Sequence, residues 1–589
     1  MDKRRIITVI VSRISQHNSS LISGIIQKAN ELNFNVAVYS MFSDDQNATK
    51  HQIGEEKIFE QINFNYTDGV IFIDYSFWSQ RILTKVAGIL KEKCKSPVVC
   101  INSGLHDSYG FFNLKISEKR NFGKVVSHLI DNHGFERIYC LTGTKGSFAS
   151  EERLAGYLDA MHSHGLKVPE NYVFYGDFWT ESAKKLADRI SSGQIPLPQA
   201  IACANDIMAI TLTNQLKSNG IAVPSVIAVT GFDAISDSFL NTPSITTFAP
   251  PEKSYGAACV HSLVNIIEGR HPYSFRNEEG QLICNDSCGC HYRNDLFTMK
   301  NKNKIREKEQ LTFKIENSNM QEELMMAAGT DDFVNCVDRF TYLINEYKRY
   351  FLCLSCNFLD ELSGKKNNYD DDQTVILLDK VEFVKVTKNR VYNTDDIFPA
   401  LSEPHNQPGA FFFTPLHFDE KYYGFSAIEF KDKEKTIDNL YRTWNKYISN
   451  ALHMLDIRST ALSSQTYYSH KSSSSVLIPP HWMFVLMNQM NKPENFIQGL
   501  PQMIKLAHLS QEHLTRAFRK YINVTPTQYI NNLRLTYAAG LLVKSSHDIT
   551  EICFLCGFNN LSHFYHQFKK KFNCSPKQYI QNRNAERQI

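Results

Sequence analysis

The first 290 residues alternate short apolar runs with amphipathic stretches of helical spacing. The apolar runs are Ile6 to Val11, Val36 to Tyr39, Gly69 to Ile73, Pro97 to Ile101, Ile138 to Leu141, Ala200 to Cys203 and Val226 to Thr230. The helical stretches between them include Leu21 to Leu32, Phe122 to Asn132, Glu151 to His164 and Ala209 to Ser218. This order predicts an α/β domain over residues 1–295, with a parallel sheet covered by helices on both faces.

The middle of the chain has a different pattern. Residues 296–330 are rich in Lys, Glu, Asn and Gln, which predicts a charged helical linker that relays or dimerises. An α+β domain is predicted over 331–456, with strands at Tyr350 to Cys356, Thr374 to Leu378, Gly409 to Pro415 and Tyr422 to Phe430, and a closing helix at Ile437 to Leu455. Ser459 to Ser475 has the composition of a flexible linker, and we place a linker at 457–484.

Residues 485–589 repeat one plan twice and predict an all-α domain of two helix pairs. In the helix Gln511 to Tyr521, the apolar residues fall on one face, and Glu512, Thr515, Arg516 and Arg519 share the other. In the helix Leu561 to Phe572, three Phe residues face inward, while the polar face holds Ser562, His563, His566 and Lys569 to Lys571. Ser510 and either Asn559 or Asn560 are placed to cap these helices.

Charge is distributed unevenly along the chain. The net charge is +3, but Val485 to Ile589 carries +8 and the remainder −5, which favours DNA backbone contact by the last domain. The 589 residues exceed what one core serves, so three or more domains are expected. The apolar run after Met1 is too short for a signal peptide, and the fourteen Cys lie mostly in apolar runs, so we expect an intracellular protein with reduced thiols and no membrane segment.

Polar side chains follow several of the predicted strands. They are Ser12, Arg13 and Ser15 after the first strand, Asp74 after Ile73, Asn205 and Asp206 after Ala204, and Asp233 after Gly231-Phe232. Ligands of parallel sheets bind at the carboxyl ends of strands, and carboxylates, an amide and an Arg beside aromatic rings suit a polyhydroxylated ligand. Helix capping, which Asp206 could provide for the following helix, is the alternative interpretation.

The same region resembles the effector-binding core of lac-repressor-type regulators. The matching residues are Ala202-Cys203-Ala204-Asn205-Asp206-Ile207-Met208-Ala209, Gly220 to Pro224, Gly231-Phe232-Asp233, Pro243 to Thr247 and Arg153-Leu154-Ala155-Gly156-Tyr157. The resemblance implies two periplasmic-binding-protein-like lobes that close on a small molecule, commonly a sugar. It implies ligand contacts for Arg153, Asn205 and Asp233, with Ser12 to Ser15, Asp74 and Trp179 as weaker candidates. Ala234 and Glu118-Lys119 depart from the family pattern, which leaves the ligand's identity open.

The end of the chain resembles the AraC family. The matching segments are Ile549 to Phe558, Ser562-His563-Phe564, Phe568-Lys569-Lys570, Ser575 to Tyr579, Thr525 to Tyr529 and Arg534. The resemblance implies two helix-turn-helix units whose recognition helices enter successive major grooves, roughly 34 Å apart. Base-reading candidates by position are Glu512, Thr515 and Arg516, then Leu561, Ser562, His563 and His566. Lys569, Lys570 and Lys571 are candidates for phosphate contact.

Two cysteine-rich or glycine-rich segments do not match known site motifs. Cys284, Cys288 and Cys290 lack the paired spacing of a structural zinc site, so we expect reduced thiols and no metal. Gly143 to Ser147 lacks the order of a phosphate-binding loop. The sequence holds no nucleophile elbow and no dinucleotide fingerprint, so we expect neither enzymatic activity nor a cofactor.

The sequence therefore predicts a cytoplasmic one-component transcription regulator. Its expected partners are double-stranded DNA, a small-molecule effector of the sugar class and a second copy of the chain, with RNA polymerase as a further candidate. The middle domain resembles GAF-type sensors through Phe413 to Phe418 and Gly424 to Ile428, and second-ligand sensing and plain dimerisation are both open for it. The alternatives are a ligand-independent regulator whose first domain oligomerises, a sugar-binding transport protein and an enzyme on the same sheet.

Overall fold

The computed structural model forms two compact units, Met1–Ser463 and Ser464–Ile589, which are described separately. The described residues are 4–43, 50–103, 106–271, 273, 280–290, 317–344, 346–363, 373–382, 384–385, 390–403, 407–468, 481–490, 493–507, 509–522, 524–544, 548–572 and 574–579. Most of the predicted charged linker at 296–330 lies outside these ranges.

The first lobe is a parallel sheet with the strand order β2-β1-β3-β4-β5. Its strands are β1 (Ile6–Arg13), β2 (Asn35–Met41), β3 (Gly69–Ile73), β4 (Val98–Ile101) and β5 (Phe112–Leu114), and its helices are α1 (Ser19–Glu31), α2 (Lys50–Glu55), α3 (Gln80–Lys93) and α4 (His106–Tyr109). The inner strands are buried on both faces, which explains why they appear in the sequence as nearly continuous apolar runs.

The second lobe has its own parallel sheet with the order β7-β6-β8-β9. Its elements are α5 (Lys119–Asp131), β6 (Ile138–Thr142), α6 (Phe148–Ser163), β7 (Val173–Tyr175), α7 (Glu181–Ser191), β8 (Ala200–Cys203), α8 (Asp206–Ser218), β9 (Ala228–Thr230), α9 (Ser236–Leu240), β10 (Thr247–Ala249), α10 (Glu252–Ile267) and β11 (Gln281–Ile283). Strands β10 and β11 form a separate antiparallel pair. The predicted α/β class of this region is confirmed.

Helix α10 packs on α1 through two glycines and so returns to the first lobe. A Cβ at Gly24 would lie 2.1 Å from the carbonyl oxygen of Lys253, and one at Gly256 would lie 2.2 Å from that of Leu21. Real Cβ atoms do not approach backbone so closely, so both glycines are required for this helix crossing.

The middle segment is an antiparallel sheet with helices, as its sequence pattern predicts. Its elements are α11 (317–326), α12 (Thr330–Phe340), β12 (Tyr347–Ser355), α13 (Cys356–Ser363), β13 (Gln373–Val381), β14 (Val384–Lys385), β15 (Arg390–Asn393), α14 (Pro399–Ser402), β16 (Ala410–Phe418), β17 (Lys421–Phe430) and α15 (Asn439–Tyr468). Helix α15 reaches Tyr468, so residues 459–468 are helical where the composition predicts an irregular linker. Residues 469–480 of that linker are outside the described ranges.

The middle segment continues the sheet of the first lobe. Strand β16 pairs in parallel with β2, from Ala410 opposite Val36 to Phe413 opposite Tyr39. The side chain of Asn35, 1% exposed, donates to the carbonyl of Leu401 at 3.0 Å and accepts from the N–H of Gly409 at 3.1 Å. The stretches 1–295 and 331–456, which the sequence separates, therefore share one sheet of eleven described strands.

The second unit is helical throughout its described residues. Its helices are α16 (His481–Met490), α17 (Pro493–Phe496), α18 (Leu500–Ala507), α19 (Gln511–Ile522), α20 (Pro526–Lys544), α21 (Ile549–Leu555) and α22 (Leu561–Phe572). They form two small cores, one around Phe518 and one around Phe564, with residues of α20 in both. Within the described ranges, none of the helices combines the length and apolarity that crossing a membrane requires.

Candidate effector cleft and DNA-binding helices

Arg153 lies on α6, one turn before a glycine that lets α6 approach α5. A Cβ at Gly156 would lie 2.2 Å from the carbonyl oxygen of Lys119 at the start of α5. The next residue, Tyr157, is fully buried and donates its hydroxyl to the carbonyl of Ile138 at 2.8 Å. The Arg-x-x-Gly-aromatic motif thus fixes α6 in the core of the second lobe and holds Arg153 beyond the end of β8.

The guanidinium of Arg153 is 4% exposed and is bonded on three sides. Its Nε donates to Glu118 Oε2 at 2.7 Å, its Nη2 donates to Asp233 Oδ1 at 3.2 Å, and its Nη1 donates to the carbonyl of Ala204. The guanidinium carbon also lies 4.3 Å from the ring centre of Phe232. Burial alone would lower the pKa of Arg153, but the charges of Glu118 and Asp233 raise it overall, so this buried group stays cationic.

Asp233 connects the second lobe to the first. It follows β9 with a left-handed backbone, φ 105°, and its N–H donates to the carbonyl of Phe248 at 2.9 Å. Its Oδ1 accepts from Arg153, and its Oδ2 lies 3.5 Å from Nδ1 of His17, in the loop between β1 and α1. Burial raises the pKa of Asp233, and Arg153 and His17 oppose this effect. This carboxylate therefore lies where the two lobes meet.

Asp74 and Ser12 lie together on the first-lobe side. Asp74 follows β3 and is 6% exposed; its Oδ2 accepts from the hydroxyl of Ser103, and its Oδ1 accepts no hydrogen bond from any residue that the structure describes. Burial raises the pKa of Asp74 to about 6. Ser12 is buried at the end of β1, and its N–H donates at 2.9 Å to the hydroxyl of Ser76, in the turn that Asp74 begins.

Arg13 and Ser15 have different surroundings. The N–H of Ser15 donates to Asn18 Oδ1 at 2.8 Å, which shapes the loop that carries His17. Arg13 is exposed, and its charge affects Arg442 on α15 of the middle segment. The pKa of Arg442 is lowered to about 10, mainly because Arg442 is buried and secondly because of the charge of Arg13. The structure thus brings Ser12 and Asp74 together and places Arg13 within electrostatic range of α15.

Asn205 organises the loop that presents Trp179. Its Oδ1 accepts from the N–H of Met208 at 2.9 Å and so caps α8, and its Nδ2 donates to the carbonyl of Phe178 at 2.9 Å. Phe178 has φ 57°, and its ring fills the space that a Cβ at Gly143 would need. Trp179, the next residue, is 52% exposed.

Glu118 and His17 also lie beside these residues, although the strand-end pattern did not nominate them. Asp206, which that pattern included with helix capping as the alternative, lies here too, and the side-chain cap of α8 comes from Asn205. Asp206 is fully buried and accepts from the N–H of Ile235 at 2.9 Å, and burial, then the charge of Asp233, raises its pKa to about 7. A Cβ at Gly231 would lie 2.1 Å from Asp206 Oδ1. Glu118 was visible in the sequence only as a departure from the family pattern. His17 carried no signal, since its partner lies 216 positions away in the other lobe.

Each helix pair of the second unit begins its second helix with the expected kind of cap. The hydroxyl of Ser510 accepts from the N–H of His513 at 3.3 Å, and Oδ1 of Asn560 accepts from the N–H of His563 at 2.9 Å. Gly557, in the second turn, has φ 83°, and a Cβ there would lie 2.5 Å from the carbonyl oxygen of Ile497. The turn therefore packs closely on the segment after α17.

The second helices bury one face and expose the other. Leu514 and Phe518 on α19, and Phe564 and Phe568 on α22, are fully buried. The exposed candidates are Glu512, Arg516 and Arg519 on α19 and Ser562, His563, His566 and Lys569 on α22.

Two other candidates on these helices have less accessible surface. Thr515 is half-buried and its hydroxyl donates to the carbonyl of Gln511 at 2.8 Å, and Leu561 is half-buried against the second core. Both are therefore less accessible than the exposed candidates on the same helices.

Lys571 differs from its two neighbours. Its Nζ donates at 2.7 Å to the carbonyl of Asn532 on α20, and burial lowers its pKa. The sequence grouped Lys571 with Lys569 and Lys570 as outward, phosphate-facing side chains. Lys571 is exposed, as that grouping expects, and its bond to Asn532 also ties α22 to α20.

Comparisons with known proteins agree with this division of the chain. Residues 126–288 match the family of periplasmic binding protein-like domains, and residues 503–582 match a helix-turn-helix domain family. The chain is similar to the HTH-type transcriptional repressor PurR of Photobacterium profundum, with 34% identity over 159 residues, 27% of this chain and 47% of that protein. It is also similar to the probable HTH-type transcriptional repressor ExuR of Bacillus subtilis, with 27% identity over 230 residues, 39% of this chain and 67% of that protein.

These matches are partial. The chain spans about half the length of the first curated relatives that it matches, between 43% and 54%. Among solved structures, the transcriptional regulator CelR in complex with cellobiose covers 49% of this chain and 86% of its own, with 22% identity and a TM-score of 0.40.

Proposed function

We propose that this chain, which contains a periplasmic binding protein-like domain and an AraC-type helix-turn-helix domain, is a sequence-specific DNA-binding transcription regulator controlled by a small-molecule effector. The observation that carries the proposal is the presence on one chain of a two-lobed fold with a charged cleft and of two capped helix pairs with exposed polar faces. The first can bind a ligand, and the second can read DNA.

The proposed effector is a sugar or a sugar derivative. Asp74 Oδ1 is an acceptor without a described donor, Asp233 and Arg153 lie at the contact between the lobes, and Trp179 offers an exposed ring. Hydroxyl groups suit the carboxylates, and the apolar face of a sugar suits the ring. Because Asn205 already bonds Met208 and Phe178, we assign it to positioning the Trp179 loop.

The proposed DNA contacts lie on α19 and α22. Arg516 is the leading base-reading candidate, since a guanidinium can bond a guanine edge bidentately. Lys569 and Lys570 are the proposed phosphate contacts. A homodimer in the cytoplasm, with RNA polymerase as a further partner, completes the scheme.

The middle segment is proposed as a rigid part of the sensor, supported by the pairing of β16 with β2. A GAF-like module with its own ligand is the alternative, and it predicts a second binding event that does not depend on Arg153.

The experiment is a calorimetric titration and thermal-shift screen of the full-length protein against a sugar panel, followed by DNA binding with and without the hit. We expect one sugar class to bind, to change DNA affinity, and to lose binding in Arg153→Ala but not in Lys184→Ala, an exposed control on α7. DNA binding without any sugar-induced shift would favour a ligand-independent regulator. Turnover of the bound sugar would contradict the proposal.

A further inference from the structure

Four metal-ligating side chains meet in the second lobe, away from the cleft. His128 is on α5, His133 follows that helix, and Cys288 and Cys290 follow β11. One ligand atom from each lies within 4.8 Å of the other three. The two histidines and the two cysteines are more than 150 positions apart in the chain, so the fold alone brings them together.

The distances between these atoms match a tetrahedral metal site. Nε2 of His128 lies 3.5 Å from Sγ of Cys288 and 3.6 Å from Sγ of Cys290, and Nε2 of His133 lies 3.4 Å from Sγ of Cys290. Zinc bonds sulfur at about 2.3 Å and imidazole nitrogen at about 2.0–2.1 Å, which in a tetrahedron separates sulfur from nitrogen by about 3.6 Å.

We propose that His128, His133, Cys288 and Cys290 bind a zinc-class divalent ion as a closed four-ligand site. Two imidazoles and two thiolates are a preferred ligand set for tetrahedral zinc. Two thiolates also cancel the charge of a divalent ion, which removes the cost of burying it uncompensated. Cys288 and His128 are buried, whereas Cys290 and His133 are half-buried and leave a side from which an ion can enter.

The cysteine segment is held in place by bonds that do not involve the four ligands. The hydroxyl of Ser287 donates to the carbonyl of Val229 at 2.6 Å and accepts from the N–H of Thr246 at 2.8 Å. Asn285 Nδ2 donates to the carbonyl of Ile245 at 2.7 Å. Gly289 has φ 98°, a conformation that turns the chain so that Cys288 and Cys290 face the same side. The ligands are therefore positioned before any ion binds.

The histidines are positioned by ring packing. The rings of His128 and His133 are nearly perpendicular with centres 5.1 Å apart, and His133 stacks on Phe135 at 5.4 Å. Cys284 Sγ lies 3.7 Å from Nδ1 of His128, on the ring edge away from the site. Cys284 thus takes the place of the outer partner that commonly orients a metal-bound imidazole.

Cysteine spacing alone gave the opposite expectation. A zinc site is usually recognised from paired Cys-x-x-Cys or His spacing, and Cys288-Gly289-Cys290 does not fit that pattern. Its histidine partners are distant in sequence: His128 lies on a helix whose pattern only predicts burial, and His133 lies just after that helix. The bound ion would clip the segment after β11 to the end of α5 and so stabilise the second lobe.

The first test measures metal in the full-length protein, purified without chelator and then loaded with zinc. We expect about one tightly held zinc per chain in the wild type, and loss of that zinc in Cys288→Ser and in Cys290→Ser. Cys94→Ser, a half-buried thiol bonded to the carbonyl of Ser96, is the matched control and should keep the zinc. Wild-type protein that retains no zinc, or serine variants that retain all of it, would overturn the proposal.

The second test reads the ligand set directly by reconstitution with cobalt. Two thiolates and two imidazoles should give tetrahedral d–d bands and thiolate-to-cobalt charge transfer, and the charge transfer should weaken in Cys290→Ser. His133 is half-buried, so we expect His133→Gln to keep its fold, which circular dichroism can confirm. The d–d bands of this variant should shift because one imidazole ligand is lost. An unchanged cobalt spectrum in both variants, or a disulfide between Cys288 and Cys290 in the protein as purified, would exclude the site.

Discussion

At the scale of single residues, the cleft is defined by buried charge that is paired inside the protein. Arg153→Ala would leave Asp233 buried and Glu118 half-buried without their cation, and removing one partner of a buried pair costs about 3–5 kcal/mol. We expect the thermal transition of the sensor to fall accordingly, measured by calorimetry on the full-length protein. Lys184→Ala removes only an exposed pair and should change stability by less than about 0.5 kcal/mol. Equal effects of the two substitutions would contradict the pairing described for Arg153.

Asp74 gives a pH-dependent prediction. Its pKa of about 6 in the folded protein lies above the usual carboxyl value near 4, so folding favours the protonated form. The resulting penalty is absent below about pH 4, grows as pH rises through the folded pKa, and reaches about 2–3 kcal/mol above it. Asp74→Asn removes a charge and keeps an oxygen for Ser103, so it should stabilise the protein relative to wild type at pH 7.5 but not at pH 4.

The measurement for Asp74→Asn is the unfolding midpoint of both proteins across this pH range. A difference that stays constant with pH would show that Asp74 does not titrate as its burial requires. Ser79→Ala, a buried polar substitution in the same lobe without an ionisable group, controls for general effects of polarity.

The sequence could predict an individual site residue only where neighbouring residues in the chain mark it. Asp233 and Arg153 were predicted because a strand end or a short motif marks each of them. His17, His128 and His133 were not predicted as site residues, since their partners lie 150 or more positions away and no spacing records the contact. The bond between Lys571 and Asn532 was not predicted, since an outward position on a helix does not reveal a neighbouring helix whose carbonyl can accept a hydrogen bond.

At the scale of elements, we propose that different residues of α19 and α22 read bases and bind phosphate. Arg516→Ala should cost about 1–3 kcal/mol of DNA affinity, selectively at one base pair. Lys569→Ala should weaken binding on every sequence and reduce the salt dependence by about one phosphate contact. Both effects can be measured by titrating each variant with the operator DNA and with its single-base variants at several salt concentrations.

Lys571→Ala is the internal control for these two substitutions. Because its ammonium group bonds Asn532, its loss should destabilise the second unit while leaving the salt dependence of DNA binding nearly unchanged. If Lys571→Ala reduced the salt dependence of DNA binding as much as Lys569→Ala does, Lys571 would be a phosphate contact.

The cap of α21 is a second element with a measurable role. Asp548 and Glu551 form a reciprocal capping box at the start of α21, the first helix of the second pair. Asp548→Ala should lower the stability of the second unit by about 1 kcal/mol. The change should appear as a lower unfolding midpoint of that unit, and DNA affinity should change little, since the cap is not on α22. A loss of affinity without a loss of stability would contradict this.

Elements were predictable where apolar spacing is regular. Predicted strands at Tyr350 to Cys356 and Tyr422 to Phe430 correspond to β12 and β17, and the repeated helix pairs appear with the expected caps. Helix α15 runs past the predicted end at Leu455, because extending an existing helix costs little and Ser or Thr residues do not stop it as Gly or Pro would.

At the scale of the whole molecule, the shared sheet predicts how truncated fragments of the chain behave in solution. A fragment of residues 1–295 would expose the edge of β2 that β16 covers, including Val36 and Val38, and an exposed apolar edge strand promotes association. We expect this fragment to aggregate and a fragment of residues 1–463 to stay monodisperse, measured by size-exclusion chromatography with light scattering. A well-behaved 1–295 fragment would show that β2 does not need its partner.

The pairing across the shared sheet could not be predicted from sequence. Paired residues of β2 and β16 are 374 positions apart, as Val36 and Ala410 are, and each strand has the pattern of an ordinary buried strand in its own domain. Apolar spacing specifies which residues are buried but not which strand is the neighbour.

The joined sheet also limits which parts of the sensor can move relative to one another when an effector binds. Strands β1 to β5 and β12 to β17 must move as one body, since sliding between β2 and β16 would break the backbone hydrogen bonds of their shared register. A closure of the two lobes on an effector would therefore displace β6 to β9 relative to this body. α15 packs into the core of the same body, so a displacement of the second lobe would leave the position of α15 within that body unchanged.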